Sequence, residues 1–80
     1  MRVLTLYSRP DCHLCAAMAA ALEPIIRGRA ELEVVNIDGD PKLEEAYALR
    51  IPVLVGDGGE LSVYTLDVAA VEAHLGSVDG

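Results

Sequence analysis

Short apolar runs and longer helix-forming runs alternate along this chain. Residues 3–7 are nearly all apolar and β-prone, which is typical of a strand covered on both faces. Residues 8–11 interrupt that run, and from Cys12 onward the chain consists largely of strong helix formers. Within this predicted first helix, one buried stripe is expected at helical spacing: Leu14, Met18, Leu22 (or Ala21) and Ile25.

Prolines and glycines indicate where the first two helices start and stop. Pro24 is expected to end or kink the first helix, because it has no N–H for the helical hydrogen-bond ladder. Gly28 is the predicted stop of that helix. Asp40 is a predicted N-cap, with Pro41 at the first position of a second helix that reaches about residue 49.

Three further strands are predicted, over residues 31–38, 51–55 and 60–64. A turn at residues 56–59 joins the last two of them as a hairpin. The last helix is expected to be capped by Thr65 or Asp67, to reach Leu75 and to close at Gly76.

The resulting order is β-α-β-α-β-β-α, an α/β fold in one domain over residues 1–80. Strands separated by a helix are expected to pair in parallel through right-handed crossovers, and the hairpin strands to pair antiparallel. The prediction is therefore a four-stranded mixed sheet with three helices on its faces. The chain contains no linker, internal repeat or low-complexity segment.

Composition and charge exclude several classes of function. Hydrophobic residues make up 52% of the 80 residues and charged residues 24%, the balance of a globular chain. Six Lys and Arg against thirteen Asp and Glu give a net charge of −7, so no basic surface is available to neutralise phosphates. Nucleic acid and anionic membranes are therefore not expected as partners.

No segment of the sequence resembles a membrane span or a signal peptide. The longest apolar run, residues 14–22, is half the length that a span requires. The apolar stretch at the N-terminus ends at Arg9, too early for a signal peptide. The expected location is the cytoplasm, where thiols are reduced and two cysteines indicate catalysis or metal binding.

Both cysteines fall within four residues, Cys12-His13-Leu14-Cys15. Three residues along a helix rotate roughly 300° and rise about 4.5 Å, so the two cysteines share one face. Their Cα atoms then lie within the roughly 4.4–6.8 Å that a disulfide tolerates. Closing so short a loop stabilises the fold by only about 2 kcal/mol, which suits a bond that is made and broken repeatedly.

The predicted helix start also supplies the chemistry. Unpaired N–H groups and the positive end of the helix dipole favour a thiolate over a thiol. Cys12, at the exposed start of the helix, is the expected nucleophile. Cys15, one turn deeper, is the expected resolving thiol. Arg9 adds positive charge near Cys12, whereas Asp11 opposes it; His13 is either an exposed first-turn residue or a second tuning group.

A strand, then residues 7–15 (YSRPDCHLC), then a helix resembles the active-site entry of a glutaredoxin-like protein of the thioredoxin fold. The Cys-His-Leu-Cys site is similar to that of small bacterial glutaredoxin-like proteins. The resemblance implies a thiol–disulfide oxidoreductase acting on protein or glutathione-mixed disulfides. It also implies a cis Ile51-Pro52 bond facing the cysteines, with the Ile51 backbone offered to a bound peptide or glutathione.

Some positions match the family and others depart from it. Arg9 stands where glutaredoxins usually carry a lysine, and Asp67 matches an aspartate of the family's glutathione-binding segment. His13-Leu14 replaces the usual Pro-Tyr, and residues 63–67 lack the glycine pair that holds glutathione. The expected protein is a monomer with no bound cofactor, and glutathione or a reductase is its electron donor.

A small metal- or iron–sulfur-handling module that binds through the CxxC is the alternative. Structural zinc requires four ligands, but His13 lies between the cysteines and His74 near the far end of the last helix, so no metal site is expected. Metal carriers usually have a methionine two residues before the first cysteine, where this chain has Pro10. They also follow the second strand with another strand, whereas residues 39–41 open a helix, so the redox interpretation is favoured.

Overall fold

The structure, a computed structural model, describes residues 2–79, with side chains up to residue 76. Its elements follow the predicted order: β1 Arg2–Ser8, α1 His13–Ile26, β2 Ala30–Asn36, α2 Pro41–Tyr47, β3 Val53–Gly56, β4 Gly59–Val63 and α3 Val68–Asp79. They form the predicted four-stranded mixed sheet, with strand order β2-β1-β3-β4. The predicted fold class is thus confirmed.

The strand directions agree with the prediction except at β3. Strands β1 and β2 pair in parallel, from Arg2 opposite Ala30 to Ser8 opposite Asn36, and β3 and β4 form the antiparallel hairpin. The expectation that every strand separated by a helix pairs in parallel is wrong for β3, which lies antiparallel to β1. The connection through α2 starts and ends at the same end of the sheet: the chain leaves β2 at Asn36, opposite Ser8, and enters β3 at Val53, opposite Tyr7. A strand that starts where the previous one ended runs in the opposite direction.

Capping residues account for most of the helix boundaries. The predicted cap of α2 is confirmed, since the Asp40 carboxylate accepts hydrogen bonds from the next helical N–H groups at 3.1 and 3.2 Å. Asp67 caps α3 in the same way, accepting from the Ala70 N–H at 3.0 Å. α1 continues past Pro24 to Ile26, and Gly28 then adopts a φ of 78°, which suits a helix stop.

The predicted stop at Gly76 is wrong, because α3 continues through it to Asp79. A glycine ends a helix when its backbone turns into the left-handed region, and Gly76 does not do so.

The main core lies between the sheet and the helices α1 and α3. Strands β1 and β3 contribute Leu4, Leu6 and Leu54 to it, and the helices contribute Met18, Leu22, Ile26, Val71 and Leu75. The predicted stripe on α1 is correct at Met18 and Leu22, but Leu14 is 53% exposed and Ile25 only half-buried. Cys15 and Ile26 take their places, because the helix lies rotated by a fraction of a turn relative to the predicted stripe.

The opposite face of the sheet carries α2, none of whose residues is buried. The Tyr7 ring on β1 stacks on that of Tyr47 with centroids 4.3 Å apart, and the Arg50 guanidinium lies 5.7 Å from the Tyr47 centroid. These contacts hold the short helix against the strand that leads into the cysteine loop. No helix within residues 2–79 is both long and apolar enough to cross a membrane.

Candidate active site

The two cysteines lie at the start of α1, where the chain leaves β1. Cys12 is the N-cap residue, with extended backbone, and the Ala16 N–H donates to its carbonyl at 3.0 Å as the first hydrogen bond of the helix. Cys15 lies one turn later, and the two residues form a disulfide with their Cα atoms 5.2 Å apart. The predicted spacing of the pair on one helix face is therefore observed.

The surroundings of the two sulfur atoms differ. Cys15 is only 4% exposed and belongs to the buried side of α1, whereas Cys12 is partly exposed. The backbone N–H of Cys15 donates to the Cys12 Sγ at 3.1 Å. A hydrogen bond of this kind, at the positive end of a helix, stabilises negative charge on Cys12 when the disulfide is open.

A left-handed residue leads the chain into the helix. Asp11 adopts a φ of 62°, a conformation in which aspartate and asparagine are among the more frequent residues other than glycine. This backbone turn aims Cys12 into the N-cap position. From the sequence, Asp11 is expected to act only through its charge, because a single aspartate in a loop does not indicate its φ angle.

A cavity of about 360 Å³ lies beside the disulfide. It brings together five of the residues predicted for the site, namely Arg9, Asp11, Cys12, His13 and Cys15. The remaining lining comes from β1, β2 and α1, through Leu6, Ser8, Ala16, Ala19 and Val34.

Arg9 forms an ion pair with Asp38 beside this cavity. Its Nε donates to the Asp38 Oδ1 at 2.8 Å, and the Asp38 N–H in turn donates to the Asn36 side-chain oxygen at 2.9 Å. Asp38 was not predicted as a site residue. The parallel pairing of Ser8 with Asn36 brings the segments after both strands together, so the strand pairing is the signal that would have found it.

The Ile51-Pro52 peptide bond is cis, as the resemblance implies. The antiparallel pairing of Tyr7 with Val53 continues toward Ser8 and the buried Pro52, which places the proline at the same end of the sheet as the cysteine loop. The Pro52 carbonyl accepts from the Tyr64 N–H at 2.9 Å.

Three of the predicted site residues, Ile51, Pro52 and Asp67, are not among the described residues that line the cysteine cavity. The structure uses Asp67 to cap a helix. Besides capping α3, it donates its own N–H to the Ser62 Oγ at 2.8 Å. Within the described part of the chain, it is not among the residues lining the cysteine cavity. The preceding residues 64–66 instead line a separate apolar cavity of about 220 Å³ with Leu14 and neighbouring residues of α1.

Titratable groups with displaced pKa values lie on the α2 side of the sheet. Burial raises the pKa of Tyr7 above its ordinary value, and the neighbouring Tyr47 and Glu33 add to this. The hydrogen bonds from Arg50 lower the pKa of Glu60, and the same pair raises the pKa of Arg50. Neither set lines the cysteine cavity.

Within residues 2–79, no group of three or more His, Cys, Asp and Glu side chains is arranged to hold a metal ion. His74 lies beside Arg2, whose Nη1 is 3.1 Å from its Nε2, near the start of β1 and therefore at the other end of that strand from the cysteines. The cysteine pair therefore gains no further ligand from that histidine.

Comparison with known proteins agrees with this geometry. A family model described as a glutaredoxin-like domain (DUF836) matches residues 3–76. Protein Ne2328 from Nitrosomonas europaea is 42% identical, with 92% of this chain and 91% of that chain covered and a TM-score of 0.83. Protein XcR50 from X. campestris is 39% identical, with 92% and 96% covered and a TM-score of 0.71.

A more distant likeness concerns the fold alone. Thioredoxin 1 from Thermosipho africanus is 14% identical over 98% of this chain and 99% of its own, with a TM-score of 0.63. No curated protein matches the sequence. The thioredoxin fold and the CxxC pair at a helix start together support a redox-type function.

Proposed function

Because the chain belongs to the family of glutaredoxin-like domains, we propose that it is a thiol–disulfide oxidoreductase working through Cys12 and Cys15. The observation that carries this proposal is the contrast between the two sulfurs. Cys12 is partly exposed, and its Sγ accepts a helix N–H at 3.1 Å. Cys15, one turn deeper, is only 4% exposed. A nucleophile must reach its substrate, whereas a resolving thiol needs to reach only the nucleophile.

The reaction takes place in two exchanges. The Cys12 thiolate attacks one sulfur of a substrate disulfide, a bond forms between them, and the other substrate sulfur leaves as a thiolate. The Cys15 thiolate then attacks the Cys12 Sγ, so that the second substrate sulfur leaves and the Cys12–Cys15 disulfide forms. Two electrons pass from the protein to the substrate, and an external dithiol or two molecules of glutathione return them.

The neighbouring groups of the cavity act on the Cys12 thiolate. The Cys15 N–H and the helix start stabilise it as nucleophile and again as leaving group. Arg9 adds positive charge and Asp11 adds negative charge, while His13, in the first turn of α1, is a second tuning group of the lining.

Other predicted residues contact the substrate. Pro52, which follows the cis bond just before β3, is assigned to the wall that faces the bound partner, and the Ile51 main chain to hydrogen bonds with that partner. Asp67 lies outside the cysteine cavity and is assigned to a more distant part of the substrate. The substrate is a protein or glutathione-mixed disulfide, and the protein binds no resident cofactor.

Single serine variants test this assignment of roles. We expect Cys12→Ser to abolish disulfide reduction, and Cys15→Ser to accumulate mixed disulfides, because the first exchange still occurs and the second cannot. The two variants are matched, since each lacks one sulfur and neither can form the internal disulfide. Mass spectrometry after alkylation, with a small uncharged disulfide as substrate, measures the adduct. An active Cys12→Ser with an inactive Cys15→Ser would reverse the roles, and full activity in both would refute the reaction.

A further inference from the structure

The charge beside the nucleophile differs from what the sequence alone indicates. Among the described residues that line the cysteine cavity, Arg9 is the only Lys or Arg. Its Nε is bound to the Asp38 carboxylate at 2.8 Å, and Asp11 adds a second carboxylate to the lining. The sum of formal charges over Arg9, Asp38 and Asp11 is therefore negative at neutral pH, where His13 is the remaining titratable group of the lining besides the cysteines.

Asp38 is held in this position by the backbone. The Ile37 N–H donates to the carbonyl of Ser8, the last residue of β1, at 2.9 Å, which continues the parallel pairing one residue past the end of β2. The Asn36 side chain accepts from the Asp38 N–H, which closes a tight turn there. The sheet pairing therefore brings the Asp38 carboxylate to Arg9, and the backbone of the loop holds the ion pair in place.

We propose that Asp38 is a specificity-determining residue that, by pairing with Arg9, makes this site prefer disulfides with neutral or cationic neighbours over glutathione. Glutathione carries more carboxylates than ammonium groups, so it needs a cation to receive it. Here the cation of the cavity is already neutralised. A basic segment of a substrate polypeptide is not repelled in this way, because the net charge of this protein is −7.

This inference rests on the proposed exchange reaction and concerns only its rate with different substrates. In the first exchange, the Cys12 thiolate forms a bond to one substrate sulfur and expels the other as a thiolate. The groups flanking the attacked sulfur then lie beside Arg9, Asp38 and Asp11, so their charge changes the rate of this step. The bonds that form and break are the same for every substrate in the comparison.

The test uses the reduced protein in single-turnover reactions with three small disulfides: glutathione disulfide (anionic), 2-hydroxyethyl disulfide (uncharged) and cystamine (cationic). Each rate constant is divided by that of the same disulfide with dithiothreitol, which removes differences in intrinsic reactivity. Rapid acid quenching, alkylation and mass spectrometry measure the loss of protein thiols. At low salt, wild type is expected to react fastest with cystamine and slowest with glutathione disulfide.

Variants of the ion pair are expected to shift this preference. Asp38→Asn raises the rate with glutathione disulfide relative to the uncharged disulfide by about threefold to tenfold. This is the effect expected when one unit charge is removed several ångströms from a charged substrate near a protein surface. Arg9→Gln lowers the same ratio by a similar factor. Both shifts diminish as salt is added, because exposed charges are screened. A merely structural role would change all three substrates alike.

The Arg29–Glu72 ion pair supplies a matched control. Its N–O distance is also 2.8 Å, and the Glu72 side chain is 50% exposed against 49% for Asp38. Arg29 directly precedes β2 and Asp38 follows its end, so the pairs are separated by a strand of about 23 Å. The variants are compared in about 0.1 M salt, where the screening length is about 10 Å. Glu72→Gln removes the same charge and is expected to leave the ratio unchanged.

The possible results separate the two proposals. A wild type that reacts with glutathione disulfide at least as fast as with cystamine overturns the inference about Asp38. So does an Asp38→Asn variant that behaves like Glu72→Gln. If reduced wild type fails to react with any of the three disulfides, the exchange reaction itself is refuted, and the inference falls with it.

Discussion

Replacing each cysteine by serine and by alanine tests whether α1 begins where the structure places it. Cys12 is the N-cap residue, and its Sγ accepts the N–H of Cys15 at 3.1 Å. A serine oxygen at this position accepts the same N–H, whereas alanine offers no acceptor. Cys12→Ser is therefore expected to be more stable than Cys12→Ala by about 1 kcal/mol, the usual worth of an N-cap.

The order of stabilities reverses one turn later. Cys15 is 4% exposed and lies on the side of α1 that faces the core. Serine and alanine are close in size, but the serine hydroxyl loses its water there. Cys15→Ala is therefore expected to be more stable than Cys15→Ser by about 1–2 kcal/mol, the cost of burying a poorly paired hydroxyl.

Urea unfolding of the four variants, all under reducing conditions, measures both differences. None of them can form the internal disulfide, so its contribution does not enter the comparison. For a chain of this size the dependence on urea is about 1 kcal/mol per molar, so each difference displaces the midpoint by about 1 M or more. Equal slopes among the variants are the control that the unfolded states are comparable.

Two results would show that the cysteines lie in other surroundings than the structure gives them. Equal midpoints for Cys12→Ser and Cys12→Ala would mean that the Cys12 side chain does not cap the helix. The same serine–alanine order at both positions would mean that the two sulfurs do not occupy different surroundings. In either case the proposed division into nucleophile and resolving thiol loses its structural basis.

Two further predictions concern the rest of the fold. Gly56→Ala places a Cβ 2.8 Å from the His74 Nε2, so thermal unfolding is expected to show a loss of about 1–3 kcal/mol. Gly76→Ala, inside α3 and in open space, is expected to gain about 0.5–1 kcal/mol, and the same sign for both would contradict this. Because the pair with Arg50 lowers the pKa of Glu60 from 4.5, its contribution is present above that pH and lost as the pH falls through the lowered pKa. The stability difference between wild type and Glu60→Gln should follow that pH dependence; a constant difference would contradict it.

The order of the elements and the place of the cysteines were predictable because both depend on local chemistry. Helix formers start at Cys12, and Asp40 followed by Pro41 is a strong helix start. A CxxC at a helix start then brings its sulfurs together whatever the rest of the fold does. The sequence-based expectations were correct at these points since no distant contact was needed to decide them.

The remaining features depend on how elements pack. The direction of β3 depends on which end of the sheet the chain reaches after α2, and the rotation of α1 leaves Leu14 exposed. Asp38 became part of the site only through the pairing of β1 with β2. Such pairings join residues far apart in sequence, which periodicity and capping signals do not report.

The redox behaviour of the cysteine pair is the sharpest test of the proposed exchange reaction. The protein is equilibrated in graded glutathione redox buffers, quenched with an alkylating agent and weighed by mass spectrometry. We expect clean conversion between the Cys12–Cys15 dithiol and disulfide at a potential between about −300 and −150 mV. Absence of an internal disulfide across that range, or a bound metal that blocks alkylation of both cysteines, would contradict it.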